Sequence, residues 1–581
     1  MHVLGFNSTH DASAALLHDG RVLAAIEEER LSRQKHHAGF PELALNAVLA
    51  HATVAPSDVD HAAFYWNPWR GLIPFGLHFL KNLPASWHYA RVQPGIWGDF
   101  VRMPKTLRRR LGFRGDFHFV DHHRAHAYST FCPSPFEEAG ILSVDGTGEW
   151  TTTYLARGDA NGIRPLHEVR YPHSIGKVYE AVTQYLGFRP VCDEGKVMGL
   201  AAYGDDRYVD DFRDIVRIDS RGGLRVDTSC FQYQIGAPDK FSPRFEERFG
   251  PRRRSDEPLD DRHRAIAFAL QERTEEVVLA LARALHEMCP VDALCMVGGV
   301  ALNCVANGRV LRDGPFERIY VQPSAGDAGA ALGAALAVHH KVTGEMPRDC
   351  MADAYLGPGF DEASCEAALR DAGLPYERPD DIASACADEI ASRRIVGWFQ
   401  GRMEYGPRAL GNRSILADPR DPGMRDYLNF RVKHREEFRP FAPAILAEHV
   451  HEYFEDASES PYMLLSFQAR DEKLGVIPSV VHIDGSARVQ TVDERNPILR
   501  RLIESFHAKT GVPVVLNTSF NRRGEPIVCT PADAVKSFLA EEMDRLALGP
   551  FLARRPEEAP DAKAARDRAE EPAGAIAGGR A

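Results

Sequence analysis

Three histidines fall within five residues in the stretch Val120-Asp121-His122-His123-Arg124-Ala125-His126-Ala127. His122 and His126 stand four apart and His123 and His126 three apart, spacings that place side chains on one face of a helix, where two imidazoles converge on a single ion. A polar helix face is the competing reading. A divalent ion needs at least one further ligand, usually a carboxylate, and often keeps a position open for substrate. Asp327, in Ser324-Ala325-Gly326-Asp327-Ala328-Gly329, is the candidate. Because it opens a small-residue helix, an N-cap is the commoner role for such a carboxylate.

Several turns have the composition of nucleotide contacts. His10-Asp11 precedes Ala12-Ser13-Ala14 in a first turn, where a histidine acts as general base near neutral pH or bonds its own turn. Asp145-Gly146-Thr147-Gly148-Glu149 is the matching second turn, whose backbone N–H groups bind phosphate or whose Asp approaches a metal. Glu194-Gly195-Lys196 enters a helix and reads as a nucleotide contact or a surface salt bridge. Gly298-Gly299 follows an apolar strand and precedes a helix, with Asn303 nearby, and permits close backbone approach to an adenosine.

Basic chemistry is densest further on. Arg402, Arg408, Arg413 and Arg420 lie among glycines, Arg431, Lys433, Arg435 and Arg439 follow, and Arg488 comes later. Guanidinium forks bind phosphate in pairs of hydrogen bonds, and lysine adds a point charge. Apolar strands, glycines and prolines enclose these charges, so a compact pocket for a small, highly phosphorylated ligand fits better than a nucleic-acid face. Asn517, Ser519 and Asn521, at the end of an apolar strand, add short polar groups for a phosphate or a planar amide.

The elements that must carry these residues follow from turn chemistry and periodicity. Residues 1–29 read as a β-meander with an Asp19-Gly20 hairpin turn, and residues 140–170 repeat the pattern. Two such copies opening successive α/β halves are the organisation of an actin-like, ribonuclease-H-like duplicated ATPase domain. Apolar spacing predicts a core helix over residues 262–288. Gly and Pro content rises near 343–360, which divides the chain into residues 1–352, residues 353–551 and a tail, 552–581, too poor in large apolar residues to fold.

The 581 residues are 44% apolar, and 70 basic against 82 acidic side chains give a net charge of −12, which disfavours a nucleic-acid partner. Ten cysteines without a CxxC pair argue for a reducing cytoplasm rather than a disulfide framework. No window approaches the roughly 18 apolar residues of a membrane span, so no membrane partner is expected, and a homodimer is left open.

Eleven ordered motifs, among them "HDASAALL", "EEERLSRQKH", "DHHRAHAYS", "EGKVMGLAAYG", "EYGPRALGNRSILADPR", "VKHREEFRPFAP" and "LNTSFNRRGEPIV", resemble the carbamoyltransferase family that includes nodulation protein NodU and the antibiotic O-carbamoyltransferases of tobramycin and cephamycin biosynthesis. The resemblance implies an N-terminal domain like the metalloprotein of tRNA threonylcarbamoyl transfer, and a C-terminal YrdC-like α/β domain. It implies that the latter makes carbamoyladenylate from carbamoyl phosphate and Mg2+-ATP. The former, with Fe2+ or another divalent metal, then moves the carbamoyl group to a hydroxyl of a small natural product and releases AMP. By the same resemblance His122, His126 and Asp327 are metal ligands, and His10, Lys433, Arg439 and Arg488 are catalytic. Of the nucleotide and cofactor contacts, it implies Lys35 and Arg408, while Asp145, Gly146, Glu194, Gly195, Gly298, Gly299, Asn303, Arg435, Asn517, Ser519 and Asn521 stand as candidates on the turns and residue types read above. His123 falls outside the metal shell and is expected to tolerate substitution better than its neighbours.

A threonylcarbamoyl-type tRNA-modifying fusion and an actin-like nucleotide-dependent regulatory module are the alternatives. The acidic charge counts against the first and the basic pocket against the second. Trp66, Trp69, Trp87 and Trp97, and the irregular residues 205–260, shape an acceptor pocket or simply pack, with packing preferred.

Overall fold

β1 (His2–Asn7) pairs antiparallel with β2 (Ser13–His18), which pairs antiparallel with β3 (Arg21–Glu27). Asp19 and Gly20 join the last two with φ values of 46° and 76°, the left-handed pair that a two-residue hairpin turn requires. The computed structural model describes residues 1–556. β4 (His61–Phe64) and β5 (Asp116–Phe119) extend the sheet in parallel on the other side of β1, giving the order β3-β2-β1-β4-β5.

The same plan recurs. β6 (Ala139–Val144), β7 (Thr151–Asp159) and β8 (Gly162–Arg170) form a second antiparallel meander, and strands Ala293–Val297 and Arg318–Val321 run parallel beyond β6. Both sheets therefore share one topology, and the first turn of each meander lies at the corresponding place. The helix expected over 262–288 spans Asp261–Met288, opened by a reciprocal cap between Asp260 and His263.

Two helices bring the sheets together. Helix Asp327–Thr343 crosses His122–Phe131 so closely that a Cβ at Gly333 would overlap the Ala125 carbonyl, which only glycine avoids. That contact fixes the histidine helix against the one that begins with Asp327.

The second unit is built on a mixed eight-stranded sheet running from Tyr376–Glu377 to Phe551–Arg554 in sequence, with Val396–Phe399, Arg413–Ala417 and Val514–Ser519 at its centre. Trp398 is fully buried there and donates to Gly411 O at 2.8 Å. A unit ending at 551 would cut the last strand, so residues 552–554 are strand rather than tail; from 557 onward the expected tail lies outside the described residues.

The units meet through buried polar contacts. Arg30 donates to Gly406 O at 2.8 Å while Gly406 N–H donates to Glu27 Oε1 at 2.7 Å. Arg33 donates to Ile527 O and Pro526 O at 2.6 and 2.9 Å. Among the described residues no helix is long and apolar enough to cross a membrane.

Candidate active site

The histidine helix is closed at its start from a distance. Glu149 Oε1 accepts the N–H groups of His122 and Asn67 at 2.9 and 2.8 Å, satisfying an amide that the helix cannot. His122 and His126 are fully buried, with Nε2 atoms 3.1 Å apart. Asp145 Oδ2 lies 3.1 and 3.0 Å from them, and Asp327 Oδ1 3.8 and 3.6 Å.

Edges of 3.0–3.1 Å match three donors each about 2.1 Å from one ion and at right angles to one another, the two-histidine, one-carboxylate face that suits a first-row divalent metal. The residues fit such an ion. Burial opposes charge on His126, yet Asp145 and Asp327 raise it to about 9. Burial likewise raises Asp145, but the two histidines outweigh it and hold that carboxyl well below its ordinary range.

One expectation changes here and another narrows. Asp327 is not an N-cap: Gly326 holds that place, and Asp327, the first helical residue, turns its carboxylate to the histidines. Asp145, expected beside phosphate or metal, is drawn into the cluster itself. His123 does lie outside the cluster, but it is no free polar face. Its Nδ1 meets Ser143 Oγ at 2.8 Å and its Nε2 meets Thr151 O at 2.9 Å, tying the helix to the second sheet, and the ring is buried.

His10 sits beside the cluster, because Asn7 Nδ2 donates both to Asp11 O at 2.9 Å and to Asp327 O at 3.1 Å. Burial works against a charged His10, but Asp11 and Cys192 raise it to about 10. In the substrate-free chain the ring is therefore an imidazolium at neutral pH, a donor rather than the expected base.

The cations of the second unit gather against the first. Arg408 Nη2 reaches Leu302 O, in the turn after Gly299, at 3.5 Å. Burial lowers Arg408 to about 9, with Arg488 and Arg439 adding to it, and burial with Arg439 and Arg488 pushes Arg435 well down. Lys433 is depressed by burial and by Arg435 and Arg439, and Lys35, from the first unit, by its surroundings and Arg439. Arg408 Nε and Arg488 Nε are buried without an acceptor. Like charges crowded this way, with orphaned N–H groups, need an anion.

Other expected contacts are engaged within the protein. Lys433 Nζ donates to Ser519 O, Asn521 O and Asn521 Oδ1 at 2.7, 2.9 and 2.8 Å, so Ser519 and Asn521 hold the lysine rather than present themselves to phosphate. Asn303 caps helix Cys304–Asp313 and exchanges hydrogen bonds with Gln271 at 2.8 and 3.1 Å. Asn517 donates to Gln490 Oε1 at 2.8 Å, leaving its own Oδ1 buried and unpartnered. Glu194 accepts Val191 N–H at 2.6 Å and burial raises it to about 7. Lys196 bridges to Glu436 at 2.9 Å, whereas nothing lies within 4 Å of a Cβ at Gly195, and Gly146 and Gly299 lie beside Asp145.

Residues 2–336 match the family model described as carbamoyltransferase N-terminus, and residues 387–555 that of carbamoyltransferase C-terminus. The chain belongs to the carbamoyltransferase family. An uncharacterized Synechocystis protein, sll1178, is 41% identical over 95% of this chain and 96% of its own length. Nodulation protein NolNO of Sinorhizobium fredii is 38% identical over 95% of this chain and 80% of its own. The 3'-hydroxymethylcephem-O-carbamoyltransferase of Streptomyces clavuligerus is 29% identical over 96% and 99%.

Not every arginine of this carbamoyltransferase faces the junction as a ligand group. Arg413 is fully buried, donates to Gln400 O and Asn412 O at 2.5 and 2.9 Å and stacks 3.6 Å from the Phe399 ring centre. Arg402 bonds Gly357 O and Leu356 O at 3.0 and 2.6 Å, and Arg420 pairs with Asp418 at 2.6 Å. Trp66 packs 5.4 Å from the His122 ring and Trp97 6.0 Å from Phe75, while Trp69 and Trp87 are exposed. Sequence reasoning missed His36 and Cys192, which join His10 in one cluster.

Proposed function

We propose that this carbamoyltransferase is an ATP-dependent O-carbamoyltransferase. The second unit, read as YrdC-like, hydrolyses carbamoyl phosphate with one water to carbamate and phosphate, and the carbamate oxygen then displaces pyrophosphate from ATP to give carbamoyladenylate. The first unit, read as an actin-like ATPase core from its duplicated sheets, passes the carbamoyl group to a hydroxyl of a small acceptor and releases AMP. The observation that carries this reading is the pair of buried, acceptor-less guanidinium N–H groups of Arg408 and Arg488 among mutually depressed cations, at the junction that also holds the two-histidine, two-carboxylate cluster.

The residues divide the work. Arg408, Arg435, Arg439 and Arg488 take up phosphate charge, and filling them relieves their mutual repulsion. Lys433 adds charge from behind Ser519 and Asn521. The buried Nε atoms of Arg408 and Arg488 hold the intermediate, which hydrolyses readily, against groups out of contact with solvent. His122, His126, Asp145 and Asp327 hold one divalent cation, iron by family expectation, which supplies Lewis-acid polarisation of the carbamoyl carbonyl. His10, charged in the free chain, donates a hydrogen bond towards the oxygen on which negative charge develops.

The test is pyrophosphate and AMP release by the purified protein with carbamoyl phosphate, ATP, Mg2+ and a panel of hydroxylated acceptors. Pyrophosphate that depends on carbamoyl phosphate is expected, with AMP and a carbamoylated product only when an accepted hydroxyl compound is present. Absence of carbamoyl-phosphate-dependent pyrophosphate would sink the reading of the second unit.

A further inference from the structure

Residues 66–115 are basic within an acidic chain: they hold nine lysines and arginines against a single acidic residue, Asp99, in a protein of net charge −12. Helix Leu72–Lys81, in this stretch, has no buried residue. Its Ile73, Leu77 and Leu80 stand at i, i+4 and i+7 and are 71, 63 and 61% exposed, and Lys81 ends the same stripe at i+8. A surface helix ordinarily turns such a stripe to the core. We propose that this face docks on the surface of an anionic lipid bilayer, with the apolar side chains at the headgroup boundary and the cations among the lipid phosphates.

The stripe is not unfinished core, because the opposite side of the helix already makes its packing contacts. Phase along the helix places Phe75 and His78 there. The Phe75 ring lies 5.0 Å from that of Trp150 and 5.6 Å from that of Tyr171, and His78 Nε2 lies 2.9 Å from Gln234 O. Gly71, just before the helix, lies so close to Glu149 that a Cβ there would overlap its carbonyl. Helix Trp87–Val101 runs alongside, with Trp97 against Phe75, and leaves Val92, Ile96 and Val101 exposed. Trp69 and Trp87 are exposed with them. A firmly held helix pair thus presents aliphatic and indole side chains outward, an arrangement that marks an interaction surface.

Charge selects the occupant. Among the described residues Lys81, Arg91, Arg102, Lys105, Arg108 and Arg109 are exposed and form no ion pair, whereas Arg70 pairs with Asp121 and Glu168 and Arg110 with Glu42. Tryptophan, leucine and isoleucine beside lysine and arginine are the composition of helices that lie in a bilayer interface. Lys81 follows Leu80 and Arg91 precedes Val92, so their stems cover apolar surface while their charges reach phosphate. A second copy of the chain is the poorer fit, since a two-fold contact would set this excess of cations against itself. A nucleic-acid backbone would match the cations and leave the aliphatic stripe bare. The acidic remainder of the chain is repelled by an anionic surface, which turns the molecule basic face down. Such docking needs no spanning segment, and among the described residues no helix is long and apolar enough to be one.

The purified full-length protein should co-sediment with vesicles of mixed phosphatidylglycerol and phosphatidylcholine, far less with phosphatidylcholine alone, and should be released as NaCl is raised. Its tryptophan emission should shift to the blue on the anionic vesicles, and Trp87→Phe should shrink that shift. Leu77→Asp should weaken vesicle binding on the order of 10-fold or more while leaving the thermal unfolding temperature where it was, because Leu77 is exposed. Lys81→Gln combined with Arg91→Gln should weaken it by roughly 5-fold for each charge removed. Wild-type protein that stays in solution with anionic vesicles, a result that needs no variant to fold, would overturn the proposal. So would vesicle binding that Leu77→Asp leaves unchanged, or a lipid-free dimer that Leu77→Asp separates.

Discussion

Asp145 Oδ2 stands 3.0 Å from His126 Nε2, joining the turn after β6 to a helix that begins 23 residues earlier than that turn. The pairing puts Asp145 among the histidines, the metal-facing one of the two roles its turn allowed, and on the proposed function it separates two half-reactions. Asp145→Asn and His122→Ala should retain pyrophosphate release from carbamoyl phosphate and ATP. Transfer to an acceptor should fall by more than the roughly 10–100-fold that loss of an outer partner of a metal ligand costs. Parallel assays of pyrophosphate and carbamoylated product check this, and loss of both activities in both variants contradicts the division between units.

Lys433 makes the opposite prediction. The residue is 5% exposed and its Nζ hydrogens go to Ser519 and Asn521, so the side chain's end is placed rather than free to roam. Lys433→Met should abolish pyrophosphate release while leaving metal content at the His122 cluster unchanged. Lys433→Arg should not rescue, because a planar fork does not reproduce three hydrogen bonds converging from Ser519 and Asn521. Elemental analysis alongside the pyrophosphate assay separates this from general unfolding.

What was legible in the sequence was local. A two-residue Asp-Gly turn and alternating apolar residues reveal each meander, and a spacing of four reveals a histidine pair, because both patterns sit within one element. Arg413 and Arg408 could not be told apart in the same way. The same guanidinium binds backbone carbonyls in a core or phosphate at a junction, and only tertiary contacts show that Arg413 does the first. Cys192 and His36 stayed hidden because nothing short-range connects residues so far apart in the chain. Asn303 and Asn521 misled for a related reason: short amides serve caps and turns as readily as ligands.

His123 shows how burial changes a substitution argument. With both ring nitrogens bonded, to Ser143 Oγ and Thr151 O, its removal leaves two polar groups unpaired in the interior. His123→Ala should lower stability by about 1–3 kcal/mol. Metal content per folded molecule should not change. Thermal unfolding and elemental analysis test the two statements together; a loss of metal with no loss of stability would place His123 among the ligands.

The contact between units carries its own pH signature. Burial raises the Glu27 carboxyl to about 7, with Arg30 opposing and Glu29 assisting, while its Oε1 accepts the Gly406 N–H at 2.7 Å. A carboxyl whose folded value lies above its ordinary 4.5 binds its proton more tightly in the folded chain. Its contribution is therefore fully present below about pH 4.5 and is lost as pH rises through about 7, because the folded state binds more protons across that window. The full swing amounts to about 3 kcal/mol. Glu27→Gln keeps an oxygen for Gly406 and removes the titration. Relative to the wild type, the variant should gain stability steadily from about pH 4.5 to about pH 8. Urea unfolding midpoints of both proteins across this range give the difference directly, in which groups common to both cancel; a gap that stays flat or narrows with pH would mean that Glu27 is ionised throughout and that Arg30 holds it so.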